Sequence, residues 1–200
     1  MDEAKKRVGS TSRTRSLVFV ALTIAIMGVS AGIAIPFGPI LLTLQMFAIS
    51  FAVLVLTPKQ CMAAICGYLA LGAIGLPMFS GMRGGIGMLM GPTGGYLWGY
   101  IFGAAAALIV RDVLRRAVGK ATHADPLELT GSKAFLVDWV ACLAFIAVSY
   151  VCGCAQYAAV VGVDLAASFA VTVVPFAIPD ALKAAAAVLC ARSVTKALGR

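Results

Sequence analysis

The chain has 200 residues, of which 62% are hydrophobic and only 12% charged, with a mean hydropathy of +1.00 and a formal net charge of +8. A soluble domain carries about 25% charged residues. Here no charge interrupts residues 17–58, 60–82, 84–110 or 139–163, and each stretch exceeds the roughly 20 apolar residues that cross a bilayer, so a soluble domain is excluded.

The elements are predicted to be helices rather than barrel strands. A spanning strand is about 10 residues long and alternates apolar with polar, whereas these runs are long and apolar all round. Residues 1–15 are basic and Ser/Thr-rich and are expected as an unstructured cytoplasmic tail ahead of a single membrane domain over 16–200. The first helix is predicted over 16–34; its apolar run is too long, and lacks the cleavage pattern, for a signal peptide. Two prolines and a glycine in "IPFGPI" (35–40) stop it. A second helix is predicted over 41–57, a polar turn at "TPKQ", and a third helix over 60–76. Residues 76–100 then carry eight glycines and two prolines, so 77–92 is read as irregular backbone. The fourth helix is predicted over 93–116, a polar loop over 119–133 and the fifth helix over 133–153. Residues 162–176 are apolar but short, suited to one interfacial or re-entrant helical turn. Pro175 and Pro179 bracket the entry to a sixth helix over 179–198. The expected fold class is all-α, integral to the membrane, with six transmembrane helices.

Lysine and arginine set the orientation. With the N-terminus inside, 14 of the 16 basic residues fall on the inner side, leaving Arg83 outside and Lys183 within the last helix. Both termini are therefore expected in the cytoplasm, and the positive charge is read as a topology and headgroup signal, with no nucleic-acid role. Tyr96, Trp98, Tyr100, Tyr150 and Tyr157 are assigned to the outer interface, where amphipathic rings settle. The six cysteines are read as small packing residues; none has the partners of a metal site.

The glycine-rich segment then lies at the outer face. Irregular backbone at membrane depth is tolerated where protein buries it or where it lines a wet cavity, so 77–92 reads either as the cover of a pocket or as a plain outer loop. Thr93 is placed to cap the fourth helix or to donate to a ligand, and Gly95, Gly99 and Gly103, four apart, permit close helix packing. Asp180 and Lys183 are three apart and share a helix face in an apolar neighbourhood. Ionisable residues inside a membrane are functional candidates; the alternative is a self-paired salt bridge at the surface. An acceptor-only carboxylate beside a three-donor ammonium suits a guest that presents both N–H and C=O or carboxylate groups. Gln45, one turn into the second helix, faces either the cavity or the packed core. Arg83 either attracts an anion or is simply solvated. Asp138 is expected to pair with a nearby Arg or Lys, and His123 in the polar loop to be inert. No P-loop, GxSxG or HExxH occurs, so an enzymatic reading is weak.

"LGAIGLPMFSGMRGGIGMLMGPTGGYLWGY" (71–100) together with "VVPFAIPDALKAAAAVLCAR" (173–192) resembles the BioY family, the biotin-specific substrate-binding (S) components of energy-coupling factor (ECF) transporters. "IPFGPILLTLQMFAI" (35–49) is similar to the family's first loop and second helix, with Pro39 and Ile40 displacing a compact Val-Pro-Phe-Thr-Leu-Gln pattern. A second departure is Pro179, which stands where a glycine precedes the aspartate. The resemblance implies a cell-membrane protein of a prokaryote that captures biotin from outside, with no cofactor of its own. It implies that Asp180 accepts from a ureido N–H of biotin and Lys183 donates to its carbonyl or carboxylate. Ser80, Thr93 and the backbone of Gly84 and Gly85 would supply further donors, with Phe79 and Tyr96 packing on the thiophane ring and chain, and Gln45 reaching the pocket. Ala21 and Ala25 on the first helix resemble the Ala-x-x-x-Ala face that meets a transmembrane T subunit, which works with two cytoplasmic ATPases; packing within the chain is the other use of such a face. An S component for another vitamin or a biotin precursor, and a self-sufficient ion-coupled carrier, remain as alternative readings.

Overall fold

The computed structural model describes residues 2–37, 40–122 and 131–197. His123, Gly38, Pro39 and Arg200 lie outside them. The described residues form eight helices and one two-stranded hairpin, in the order α1 (Asp2–Gly32), β1 (Ala34–Phe37), β2 (Ile40–Thr43), α2 (Gln45–Val55), α3 (Pro58–Ala73), α4 (Ile86–Met90), α5 (Gly94–Thr122), α6 (Gly131–Val161), α7 (Leu165–Thr172) and α8 (Val174–Ala197). Within four of these helices, Arg13–Gly32, Gly94–Lys120, Gly131–Val161 and Val174–Ala197 are long and apolar enough to cross a bilayer.

The differences from the predicted elements have local causes. α1 runs back to Asp2 instead of leaving residues 2–15 as an unstructured tail; its first turns hold acidic residues, favoured at a helix N-terminus, then Ala, Lys and Arg of good helix propensity. The second helix starts at Gln45, not 41, because Ile40–Thr43 pairs antiparallel with Ala34–Phe37. Pro36 is confined to this two-stranded edge, where its missing N–H is tolerated. At the next turn Thr57 caps α3 in a capping box: Gln60 N donates to Thr57 Oγ1 at 3.4 Å and Thr57 N to Gln60 Oε1 at 3.1 Å, with Pro58 in the first turn. The expected interfacial turn over 162–176 is the helix α7, capped by Asp164, whose Oδ1 accepts from Ala167 N at 2.7 Å. Pro179 lies inside α8 rather than at its entry; the helix begins at Val174, so Pro175 takes the first turn and Pro179 costs only one backbone bond.

The α5–α6 pair is the spine of the molecule. Gly95, Gly99 and Gly103 bring α5 onto the backbone of α6, where a Cβ at each would strike Cys152, Ser149 and Phe145 in turn. Close approach of this kind supplies dispersion contact where lipid offers no hydrophobic drive between helices. Ser149 Oγ donates back to Phe145 O within α6 at 2.9 Å and across the seam to Gly99 O at 3.2 Å. Farther along, buried Asp138 on α6 accepts from Arg111 Nε at 2.8 Å and Arg115 at 2.9 Å, both on α5. Arg111 also donates to Val53 O of α2 at 3.3 Å. The expected Asp138 ion pair is therefore present and ties three helices.

Candidate functional site

One end of the bundle opens into a cavity of about 780 Å³, the open space of its mouth included. Its walls come from five parts of the chain. The hairpin contributes Ile40–Thr43, α2 Gln45 and Met46, the glycine-rich segment Phe79, Ser80, Arg83 and Met88, the start of α5 Thr93, Tyr96, Leu97 and Tyr100, and α6 with α7 and α8 Tyr150, Thr172, Phe176 and Asp180. The basic residues Arg111, Arg115 and Arg116 of α5 and Arg192 of α8 lie toward the other end of those helices.

The acid–amine couple is formed. Asp180, 4% exposed, accepts from Lys183 Nζ on Oδ1 at 2.8 Å and from Tyr150 O–H on Oδ2 at 2.7 Å. The Lys183 ammonium donates as well to Thr43 O, at 2.8 Å. Asp180 is on the cavity wall, whereas Lys183 stands behind it. The ammonium thus neutralises the carboxylate and fastens the hairpin to α8 with the same group. A lone charge here is costly; a pair with its remaining hydrogen-bonding capacity used is tolerated.

A second network centres on Gln45, which is buried and lines the cavity. Its Nε2 donates to Tyr68 Oη at 2.5 Å, and Tyr68 O–H donates to Met78 O at 2.6 Å. Thr43 O–H reaches Gln45 Oε1 at 3.1 Å, and Tyr100 O–H makes a longer approach to the same oxygen at 3.5 Å. Gln45 therefore connects the hairpin on one side to the glycine-rich cover on the other.

The cover is built on glycine. Gly85 holds φ +99°, open to glycine alone at little cost, and its N–H donates to Gly72 O at 2.7 Å. A Cβ on Gly84 would collide with the carbonyls of Gly75 and Leu76. Phe79 and Arg83 exchange backbone bonds at 2.8 and 3.2 Å to close the tip. The Phe79 ring is seated over Gly72 and edge-on to Tyr68, centroids 5.8 Å apart. Met78 rests on Gly28 and Met82 on Gly32 of α1, and Gly81 N–H donates to Ala31 O at 3.3 Å.

Of the residues singled out from the sequence, Asp180, Ser80, Thr93, Tyr96, Phe79 and Gln45 meet at the cavity, as does Arg83. Gly84 and Gly85 do not line it; the Gly85 N–H expected to serve a ligand is engaged by Gly72, so both residues shape the cover. Phe79 is wholly buried and anchors the cover as much as it walls the cavity. Tyr96, Tyr100 and Tyr150 are not interfacial rings: all are under 10% exposed and stand in the wall. Tyr100, Tyr150, Thr172 and Phe176 were missed as site residues. A signal for Phe176 existed, because 176 and 180 are four apart and fall on one face of α8. Ala21 and Ala25 are exposed on α1, while Gly28 and Gly32 farther along the same helix are taken by the methionines of the cover.

The model of the BioY family matches residues 3–200. The chain belongs to the BioY family. The family's relatives bear transporter names rather than enzyme names. The probable biotin transporter BioY of Pyrococcus horikoshii is 35% identical over 179 residues, 90% of this chain and 95% of that protein. The biotin transporter BioY of Rhizobium etli is 33% identical over 184 residues, covering 90% and 93%. In structure, the chain is similar to the S-component for biotin from an ECF-type ABC transporter, solved by crystallography at 2.1 Å, with a TM-score of 0.76, 25% identity and 93% of each chain covered. Family membership and the apolar helices together make this a membrane protein of the transporter class.

Proposed function

We propose that the chain is the biotin-binding S component of an ECF-type uptake transporter in a prokaryotic cell membrane. The observation that carries this reading is the buried Asp180 carboxylate, hydrogen-bonded by Lys183 and Tyr150 at the wall of the cavity, in a chain whose relatives are named for biotin transport. An ionised carboxylate is an acceptor only, and a cyclic urea offers N–H donors. Asp180 accepts from a ureido N–H, and Lys183, which stands behind the wall, acts through Asp180 by holding its carboxylate in place for the guest. Ser80 and Thr93 supply hydroxyls, Gln45 an amide, and Tyr96 a ring against the thiophane and chain.

The chain crosses the membrane six times. Four helices have the length by themselves. α3 has 16 residues, or about 24 Å at 1.5 Å per residue, and α2 with its hairpin makes up the sixth crossing. The cavity faces outward, because the basic ends of α5 and α8 belong inside; both termini are then cytoplasmic. Ala21 and Ala25 meet a T subunit, whose two ATPases supply the energy of transport.

The test is biotin binding by purified chain in nanodiscs, followed by calorimetry. Saturable one-to-one binding that is lost in Asp180→Asn is expected. Tight binding of a different vitamin with none of biotin would replace the substrate, and binding untouched by Asp180→Asn would move the site elsewhere.

A further inference from the structure

Thr172 is a wall residue of the cavity, 1% exposed, and its hydroxyl is buried with no hydrogen-bond partner. On a helix a threonine usually turns its hydroxyl back to the carbonyl one turn earlier, as Thr23 does to Phe19 O at 2.8 Å and Thr195 to Ala191 O at 2.7 Å. Thr172 makes no such bond. Its surroundings are polar and otherwise satisfied: Tyr96 O–H donates to Thr172 O at 2.9 Å, the Tyr96 ring stands edge-on to Tyr150 with centroids 6.3 Å apart, and Tyr150 donates to Asp180. Thr172, Phe176 and Asp180 all line the cavity at intervals of four residues along α7 and α8. A buried hydroxyl left unmade is a standing cost, and protein interiors leave few of them.

We infer that the Thr172 hydroxyl is a specificity contact of the transported ligand, pairing with the same ureido end that Asp180 receives. The inference rests on the biotin reading above. No group of the protein bonds the hydroxyl; the guest completes it. Its position across the α7–α8 junction from Phe176 sets a second polar point on the wall that carries the carboxylate, so the head group is read from two places and its orientation is defined. A valine of the same shape removes the hydroxyl alone, and in the empty protein that exchange deletes an unsatisfied group instead of a bond.

The experiment measures biotin affinity and the melting temperature of the empty protein, full chain in nanodiscs, for wild type, Thr172→Val and Thr172→Ser. Thr172→Val is expected to bind biotin about tenfold more weakly, the worth of one hydrogen bond inside a dry site. When empty, it should melt at or above the wild-type temperature, and Thr172→Ser should keep most of the affinity. The tenfold loss should persist with biotin amide, altered only at the tail, and shrink with 2-iminobiotin, altered at the head. Equal affinity of Thr172→Val and wild type overturns this inference and leaves the biotin reading standing. A valine variant that melts well below wild type when empty also overturns it, since the hydroxyl then serves the fold. A loss that disappears with biotin amide would assign the hydroxyl to the tail and refute the head-group contact. Failure of the wild type to bind biotin at all removes both.

Discussion

Breaking the Asp180–Lys183 couple one side at a time, and then on both sides, separates its electrostatic role from its role in recognition. The side chains are 5% and 15% exposed, too dry for water to take over from a missing partner. Lys183→Met keeps the length of the side chain but leaves the carboxylate with Tyr150 alone and releases Thr43 O at the hairpin. Removing one member of a buried pair costs about 3–5 kcal/mol, because the other charge stays desolvated. Asp180→Asn strands the ammonium instead, with Thr43 O its remaining partner, and should cost somewhat less. In the double variant no charge remains to desolvate. Its stability should return to within about 1–2 kcal/mol of wild type, as for other buried pairs replaced by uncharged groups. The two costs are then strongly non-additive, as expected of residues in direct contact. Biotin binding behaves differently: it should stay lost in the double variant, because the ionised acceptor at the cavity wall is gone. Thermal unfolding of the four proteins in one lipid system, with calorimetry on each, reads both quantities. A Lys183→Met protein as stable as wild type, or a double variant whose cost equals the sum of the singles, would refute the buried-pair reasoning.

Tyr68→Phe removes the bridge from Gln45 to Met78 O and strands two buried groups, at a cost of about 1–3 kcal/mol; biotin should dissociate faster, measured by stopped-flow release, and an unchanged rate would separate Gln45 from the cover. Ala21→Trp with Ala25→Trp should keep biotin affinity while abolishing co-purification with a T subunit, since both positions are exposed; normal co-purification would move the docking face off α1.

The candidate site was legible from sequence where chemistry is rare in its surroundings. Asp180 and Lys183 stood out because charges are scarce in apolar helices, and their spacing carried the pairing with it. The glycine-rich segment announced irregular backbone, and Gly95, Gly99 and Gly103 announced a close helix seam. The tyrosines were not legible. A tyrosine near the end of an apolar run has the same local signature whether its ring faces headgroups or a cavity, and only the packing of α5 against α6 turns Tyr96, Tyr100 and Tyr150 inward. Thr172 carried no signal, because an ordinary threonine on a helix satisfies itself locally.

Composition and pattern alone determine that this chain lives in a bilayer as a helical bundle with its positive charges gathered toward one side, since the cost of burying charge and unpaired backbone in lipid leaves no other solution. They also place an acid and an amine on one helix face. Tertiary structure decides what that couple does. It turns residues 40–43 into a strand whose last carbonyl receives Lys183, binds the cover to the far wall through Gln45 and Tyr68, and fills the holes at Gly28 and Gly32 with methionine. These contacts join residues from 10 to 140 positions apart, and no local preference encodes a partner at that distance.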